Sequence, residues 1–289
     1  MMINTIITST QVYNHPLEVV WRALSEESEL RKWFFPVQHY QFEKEREFRF
    51  YESEDSNRFL HRCRFTEIIP MQLIAYTWEF PEFSSGISLV QWQLEQMGDQ
   101  TRLTLTHSGL EAFAEAGDDF KPENFQFGWD HFVHDVLRLY LNGIEKLVFK
   151  TTIKANAEKI WETLWDKETY KQWTEPFTIG SYYDGEIQTG NRIHFLTPEG
   201  HGMYSNVAFV KDNEHVVLQH IGEMAGFEEL PPDEKTLKWT GSCESYQLLS
   251  ADNGMLLRVE VDTDATHLTA MNEIFPVALQ RLKEICEKD

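Results

Sequence analysis

The stretch LEVVWRALSEESELRKWFFP, residues 17–36, returns later in the chain as AEKIWETLWDKETYKQWTEP, residues 157–176. Glu18 matches Glu158, Trp21 matches Trp161, Leu24 matches Leu164, Trp33 matches Trp173 and Pro36 matches Pro176, all at one constant offset and without a gap. Chance similarity drifts in register, whereas a duplicated structural unit does not. The apolar positions agree too. Leu17, Val20, Trp21 and Leu24 fall at i, i+3, i+4 and i+7, as do Ala157, Ile160, Trp161 and Leu164, which is one stripe of an amphipathic helix. The chain is therefore expected to hold two copies of one fold, each opening with a helix docked by tryptophan. Its 289 residues suit two domains of the size at which one hydrophobic core is comfortable. The expected division is residues 1–142 and 143–289.

A strand precedes the first helix: INTIITSTQVY, residues 3–13, is rich in β-branched residues, and Pro16 suits a helix's first turn. After Pro36 come short alternating stretches separated by turn signals: QFEKEREFRFY, LHRCRFTEII, LIAYTWEF, SLVQWQLEQ and TRLTLTHS. Consecutive short strands imply an antiparallel meander. The period of two selects an unusually aromatic inner face. Ile74, Tyr76, Trp78 and Phe80 share it, as do Val90, Trp92 and Leu94, while Leu103 and Leu105 bring His107 with them. The unit closes with PENFQFGWDHFVHDVLRLYLNG, where Phe125, Trp129, Phe132, Val133, Val136, Leu137 and Tyr140 recur at helical spacing and Gly143 supplies a left-handed stop. The second copy repeats the plan with LVFKTTI, RIHFL, GMYSNVAFV, VVLQHIG, ESYQLLS and MLLRVEVDT, then a helix from residue 266 to about 288. Pro276 falls inside that last helix and is expected to bend it near Asn272, leaving the first unit's closing helix the straighter of the two. The class is α+β.

Composition narrows the functions. The net charge is −21, from 47 acidic against 26 basic residues, so the field repels phosphate backbones and anionic lipid surfaces, and neither nucleic acid nor membrane is an expected partner. No apolar run is long enough to span a bilayer and no basic-then-apolar leader follows Met1, which reads as a cytoplasmic protein. Cys63, Cys243 and Cys286 are far apart and form no CxxC pair, so reduced thiols are expected.

The plan of strand, two short helices ending in tryptophan and proline, antiparallel sheet and long closing helix resembles the helix-grip fold. RCRFTEIIPMQLIAYTW, TRLTLTHSGL and GWDHFVHDVLRLYL make the first unit similar to bacterial homologues of the heat-shock-protein-90 ATPase activator. That group lies within the superfamily of steroidogenic-acute-regulatory (START) lipid-transfer domains, birch-pollen-allergen-type proteins and polyketide cyclases. The second unit keeps IWETLWDKETYKQW and GMYSNVAFV but has VDTDATHLTAM where the first has LTHSGLEAF, and it inserts GEMAGFEELPPDEKTLKW between strands. The resemblance implies two tandem helix-grip domains, each a curved antiparallel sheet gripping a long C-terminal helix. It also implies a cavity between sheet and helix that takes a hydrophobic small molecule, with a chaperone as a possible partner. A cyclase- or hydrolase-type enzyme of the same superfamily is the remaining alternative.

The residues themselves favour binding over chemistry. HExxH, GxSxG, a phosphate-cradling glycine loop and cysteine–histidine metal spacing are all missing from the sequence, so no catalytic residue, metal ligand or cofactor is assigned. His131 and His134 with Asp130 and Asp135 have metal-like spacing, but on a helix phased by Trp129, Phe132 and Val136 they point away from the apolar stripe, as a solvated face. The candidate ligand-binding set in the first unit is Trp78, Trp92, His107, Trp129 and Phe132, where His107 fits a hydrogen-bonded core as well as a ligand anchor. In the second unit it is Ser205, in phase with Met203 and Val207; Gln219, in phase with Val217 and Ile221; and Trp239, Met271 and Phe275. The insertion at residues 226–238 is expected to be an exposed loop whose flanks, Met224 and Trp239, could close over the cavity mouth.

Overall fold

The computed structural model describes residues 5–52 and 59–288; Ile3 and Asn4 of the expected first strand lie outside them. The chain divides into two compact units, Met1–Leu141 and Asn142–Asp289.

In the first unit β1 (Ile6–Tyr13) leads into α1 (Leu17–Ser25) and α2 (Glu27–Trp33), followed by β2 (Glu47–Tyr51), β3 (Leu60–Ile69), β4 (Leu73–Glu79), β5 (Ser88–Met97) and β6 (Gln100–Ser108). The strands form one antiparallel sheet in the order β1-β6-β5-β4-β3-β2, so the first strand pairs with the last and the rest form a meander. Alternation is strict where the sheet is half covered: Leu103, Leu105 and His107 are buried on β6, with half-exposed residues between them.

The closing helix is where sequence and structure differ. It runs as α3 (Pro122–Asp130), a π-helical segment over His131–Val136, and α4 (Leu137–Leu141). The wide turn comes with a buried hydrogen bond from the Tyr13 hydroxyl to the Val133 carbonyl at 2.7 Å, which gives that carbonyl a partner from β1. Burial keeps the spacing Trp129, Val133 and Leu137.

The second unit repeats the order with β7 (Ile144–Ile153), α5 (Ala157–Trp165), α6 (Lys167–Trp173), β8 (Tyr182–Gly185), β9 (Arg192–Leu196), β10 (Gly202–Lys211), β11 (His215–Ala225), β12 (Glu228–Glu229), α7 (Thr236–Trp239), β13 (Cys243–Ala251), β14 (Gly254–Asp264) and α8 (Leu268–Cys286). Its sheet runs β7-β14-β13-β11-β10-β9-β8, with β12 hydrogen-bonded to β11. Contrary to the sequence expectation, the closing helix with the irregular segment is the first unit's, and α8 stays helical through Pro276. Pro276 and Asn272 both lie on the exposed side of α8, while Phe275, Ala278, Leu279 and Leu282 hold the buried stripe.

One device recurs in both copies. The Trp33 indole N–H donates to the Ala23 carbonyl at 2.9 Å, and that of Trp173 to the Leu164 carbonyl at 3.2 Å, tying each second helix to the end of the first. The other repeated tryptophan diverges. Trp21 is buried, but Trp161 is only partly so, while Thr163, Leu164 and Trp165 are buried on α5 as Ala23, Leu24 and Ser25 are on α1. The insertion is exposed from Gly226 to Lys235, and Thr236 is its buried point.

Candidate functional site

The first unit brings its five candidates together. Trp129 of α3 packs edge-on to Trp78 at 5.2 Å and to Trp92 at 5.6 Å between ring centroids, and Phe132 lies 5.0 Å from Phe35 and 5.2 Å from Phe34. His107 is fully buried and links the helix to the sheet. The Trp129 indole can only donate, so its 3.0 Å bond fixes His107 Nδ1 as acceptor and puts the ring proton on Nε2, 2.7 Å from Ser88 Oγ. The Ser88 hydroxyl in turn donates to the Trp78 carbonyl at 3.1 Å. Every polar atom of His107 is used within this chain. Burial, helped by the nearby His61, lowers the His107 pKa to about 3, so the ring is neutral.

What space remains is small. A cavity of about 20 Å³ lies among Leu24, Leu30, Trp33, Tyr40, Phe48 and Trp92, room for roughly one water. His61 is a buried residue that the sequence reading passed over: it stacks on Phe50 at 4.5 Å, and burial lowers its pKa to about 3. Its phase with Cys63 and Phe65 on β3 was the available signal.

The second unit rearranges its candidates. Phe275 is buried against Phe149 at 4.9 Å and Phe177 at 4.8 Å, with Met271 packed partly on the same core. Trp239 ends the short α7, half-buried beside β11, where Thr240 Oγ1 donates to the Ile221 carbonyl at 2.9 Å. Gln219 is a correction. The core face of β11 is Val216, Leu218 and His220, so Gln219 lies on the opposite face with Val217 and Ile221, and His220 stands in its place. Ser205 is fully buried on β10, where a register shift after Tyr204 separates it from the exposed Met203.

Ser205 belongs to a polar row that crosses three strands. Its Oγ lies 2.8 Å from His220 Nδ1, and His220 Nε2 lies 3.8 Å from Glu244 Oε2, beyond hydrogen-bond reach. The Tyr246 hydroxyl donates to Glu244 Oε1. Glu244, Tyr246 and Leu248 alternate inward on β13, a phase readable from the sequence once β13 is placed. Burial lowers the His220 pKa to about 4; burial raises that of Glu244, and the Tyr246 hydrogen bond opposes the rise. Aromatic rings wall this row. Trp165 packs edge-on to Tyr246 at 5.4 Å, Tyr170 to Tyr183 at 4.9 Å and to Trp173 at 5.3 Å. The buried Trp165 Nε1 finds no hydrogen-bond partner among the described residues. Glu244 itself keeps 23% of its side-chain exposure, so it stands at the row's edge.

Among the described residues, no three His, Cys, Asp or Glu side chains are grouped to hold a metal ion, and no helix is long and apolar enough to cross a membrane. His131 pairs with Asp135 at 3.2 Å, and His134 sits 3.7 Å from Asp130, each pair half exposed.

A sequence model of the family described as "Activator of Hsp90 ATPase homolog 1-like protein" matches residues 14–142, nearly all of the first unit. That is the family its motifs resemble. No curated protein matches the chain. Among solved structures, the Aha1 dimer from Colwellia psychrerythraea is 26% identical over 49% of this chain and 96% of its own, with a TM-score of 0.39. The di-domain ARO/CYC BexL from the BE-7585A biosynthetic pathway is 13% identical over 99% of both chains, with a TM-score of 0.41. The di-domain ARO/CYC StfQ from the steffimycin biosynthetic pathway is 12% identical over 97% of both, with a TM-score of 0.40.

Proposed function

We propose that the protein binds a hydrophobic small molecule without covalent chemistry, and that the second unit holds it on the inner face of its sheet beside Glu244. The observation that carries this reading is the row Ser205, His220, Glu244 and Tyr246. Buried polar groups are costly unless paired, and here they converge from β10, β11 and β13 into an aromatic wall, with one carboxyl partly exposed and the Trp165 N–H unpaired. A few oriented polar groups in an apolar lining is the pattern of a ligand site. The same geometry argues against catalysis. Ser205 is wholly buried with its oxygen against His220, and the histidine stands 3.8 Å from the carboxylate, so the serine is closed to a substrate and the histidine and carboxylate are not joined as an acid–base pair.

The first unit supports a different role. The cavity among Leu24, Trp33 and Trp92 has room for about one water, so an apolar ligand there would have to displace packed rings. Together with the family match, this favours a rigid surface for a protein partner, for which a chaperone of the heat-shock-protein-90 type is the first candidate.

Native mass spectrometry of the gently purified chain tests the first reading, alongside titration with the neutral probe N-phenyl-1-naphthylamine. A retained small molecule, or saturable probe binding lost in His220→Phe and kept in Ser88→Ala, is the expected result. Probe binding that never saturates, or that is lost only in the first-unit variant, overturns it.

A further inference from the structure

We infer that the ligand of the second unit carries a protonated amine, received by the Glu244 carboxylate at the edge of the Trp165, Tyr170, Tyr183 and Tyr246 rings. The inference rests on the binding reading above and adds the chemical class.

The charge arrangement around Glu244 carries it. The carboxyl projects from the inner face of β13, and the groups that face it are His220 from β11, the Tyr246 hydroxyl from its own strand, and Tyr170 from α6. Among the described residues His220 is the basic group paired with it, and burial keeps that imidazole neutral around pH 7. The carboxylate therefore sits among aromatic rings with one neutral donor on Oε1 and, among the described residues, no cation, while 23% of the side chain remains exposed. An inward carboxylate without a counter-ion is an expensive arrangement that a cationic ligand would relieve.

The rings suit the same partner. A cation is attracted to the face of tyrosine or tryptophan, more strongly where water is excluded. This cluster already receives one from outside: Lys167 Nζ stands 5.5 Å from the centroid of the Tyr183 ring. The net charge of −21 adds a long-range field that concentrates cations and repels anions. A ligand carboxylate would meet Glu244 as a like charge, and a neutral ligand would leave the carboxylate uncompensated. Burial raises the Glu244 pKa, and an ammonium beside it would draw the pKa back down.

The test uses three probes with one naphthalene ring and different head groups: 1-naphthylmethylamine, 1-naphthylmethanol and 1-naphthoic acid. They are titrated at pH 7 and low salt into the full chain and into Glu244→Gln, whose fold is checked by circular dichroism. The expected result is that the wild type binds the amine at least about tenfold more tightly than the alcohol and the acid most weakly. In Glu244→Gln the amine should fall to the affinity of the alcohol, which stays unchanged. If the variant does not fold, the wild-type ranking decides, because an amine no tighter than the alcohol overturns the inference. Alcohol and amine binding equally well, and both lost in His220→Phe, would overturn the amine while leaving the binding reading intact. Saturable binding of none of the three would overturn both.

Discussion

Two buried histidines should make the first unit sensitive to mild acid. His61 and His107 both have pKa values lowered to about 3, mainly by burial, against an ordinary value near 6.5. Between these limits the unfolded chain binds a proton at each site and the folded chain does not, so stability is complete above pH 6.5 and is lost as pH falls. Each site contributes a slope of about 1.4 kcal/mol per pH unit. From pH 7.5 to 5.0 this is about 2 kcal/mol per histidine and about 4 kcal/mol for the pair, a large share of a typical domain's 5–15 kcal/mol.

His107→Leu separates this effect from the general loss of carboxylate interactions in acid. The substitution leaves the Trp129 indole N–H buried without its acceptor, which should cost about 1–3 kcal/mol at pH 7.5. Its pH slope, however, should be shallower by the contribution of one site, so wild type and variant converge as the solution is acidified. A urea series read by hydrogen-exchange mass spectrometry at pH 7.5, 6.5, 5.75 and 5.0 scores the two units separately. Parallel pH profiles for wild type and variant over that range would refute the claim that His107 is held neutral by the fold.

The repeated tryptophans give further tests by thermal melting. Trp33→Phe and Trp173→Phe should each lose about 1 kcal/mol, since each removes one indole-to-carbonyl bond to the end of the preceding helix. Trp21→Ala should cost about 3–5 kcal/mol and Trp161→Ala clearly less, because only the first is buried; equal losses would contradict the observed divergence. Gly202→Ala should destabilise the second unit by more than 2 kcal/mol, roughly, since its backbone lies at φ +152° and an added Cβ would stand 1.9 Å from the Phe195 carbonyl oxygen. Pro276→Ala should stabilise that unit by about 1–3 kcal/mol, because the position is exposed, inside a helix, and gains a hydrogen bond.

The tandem plan was legible because it rests on periodicity. The two helices of each repeat, the meander and the buried phase of Ile74, Trp78, Trp92, Leu103 and His107 all follow from periods of 3.6 and 2. β8 and β12 escaped, being four and two residues long and rich in Asp, Glu and Gly, too short for a period to register. The π-helical turn escaped for another reason. No residue of HFVHDV announces it, and the Tyr13 hydroxyl that accompanies it lies more than a hundred residues away, so local sequence carries no trace of the cause. Pro276 shows the converse. Proline is a strong local signal, but here it lies on an outward face and the stripe of Phe275, Ala278, Leu279 and Leu282 holds the helix together.

The candidate site was half legible, and the part that was missed depends on strand phase. Ser205 was found on its own strand, but on the next strand the choice between Gln219 and His220 depended on one residue of register, which reverses every side chain. The wrong phase replaced a buried titratable group with an outward amide and hid the connection to Glu244. With β11 set correctly, three facts that look unremarkable singly combine: a serine against a histidine, a histidine short of a carboxylate, and, among the described residues, a carboxylate without a cation. In the first unit the buried His107 lies on a different strand of the plan, β6, and spends both ring nitrogens on Trp129 and Ser88. Duplication thus kept one fold and separated two interiors. One copy ties His107 to its own groups and packs rings around it, while the other leaves Glu244 partly exposed, and that difference is why ligand binding is proposed for the second unit.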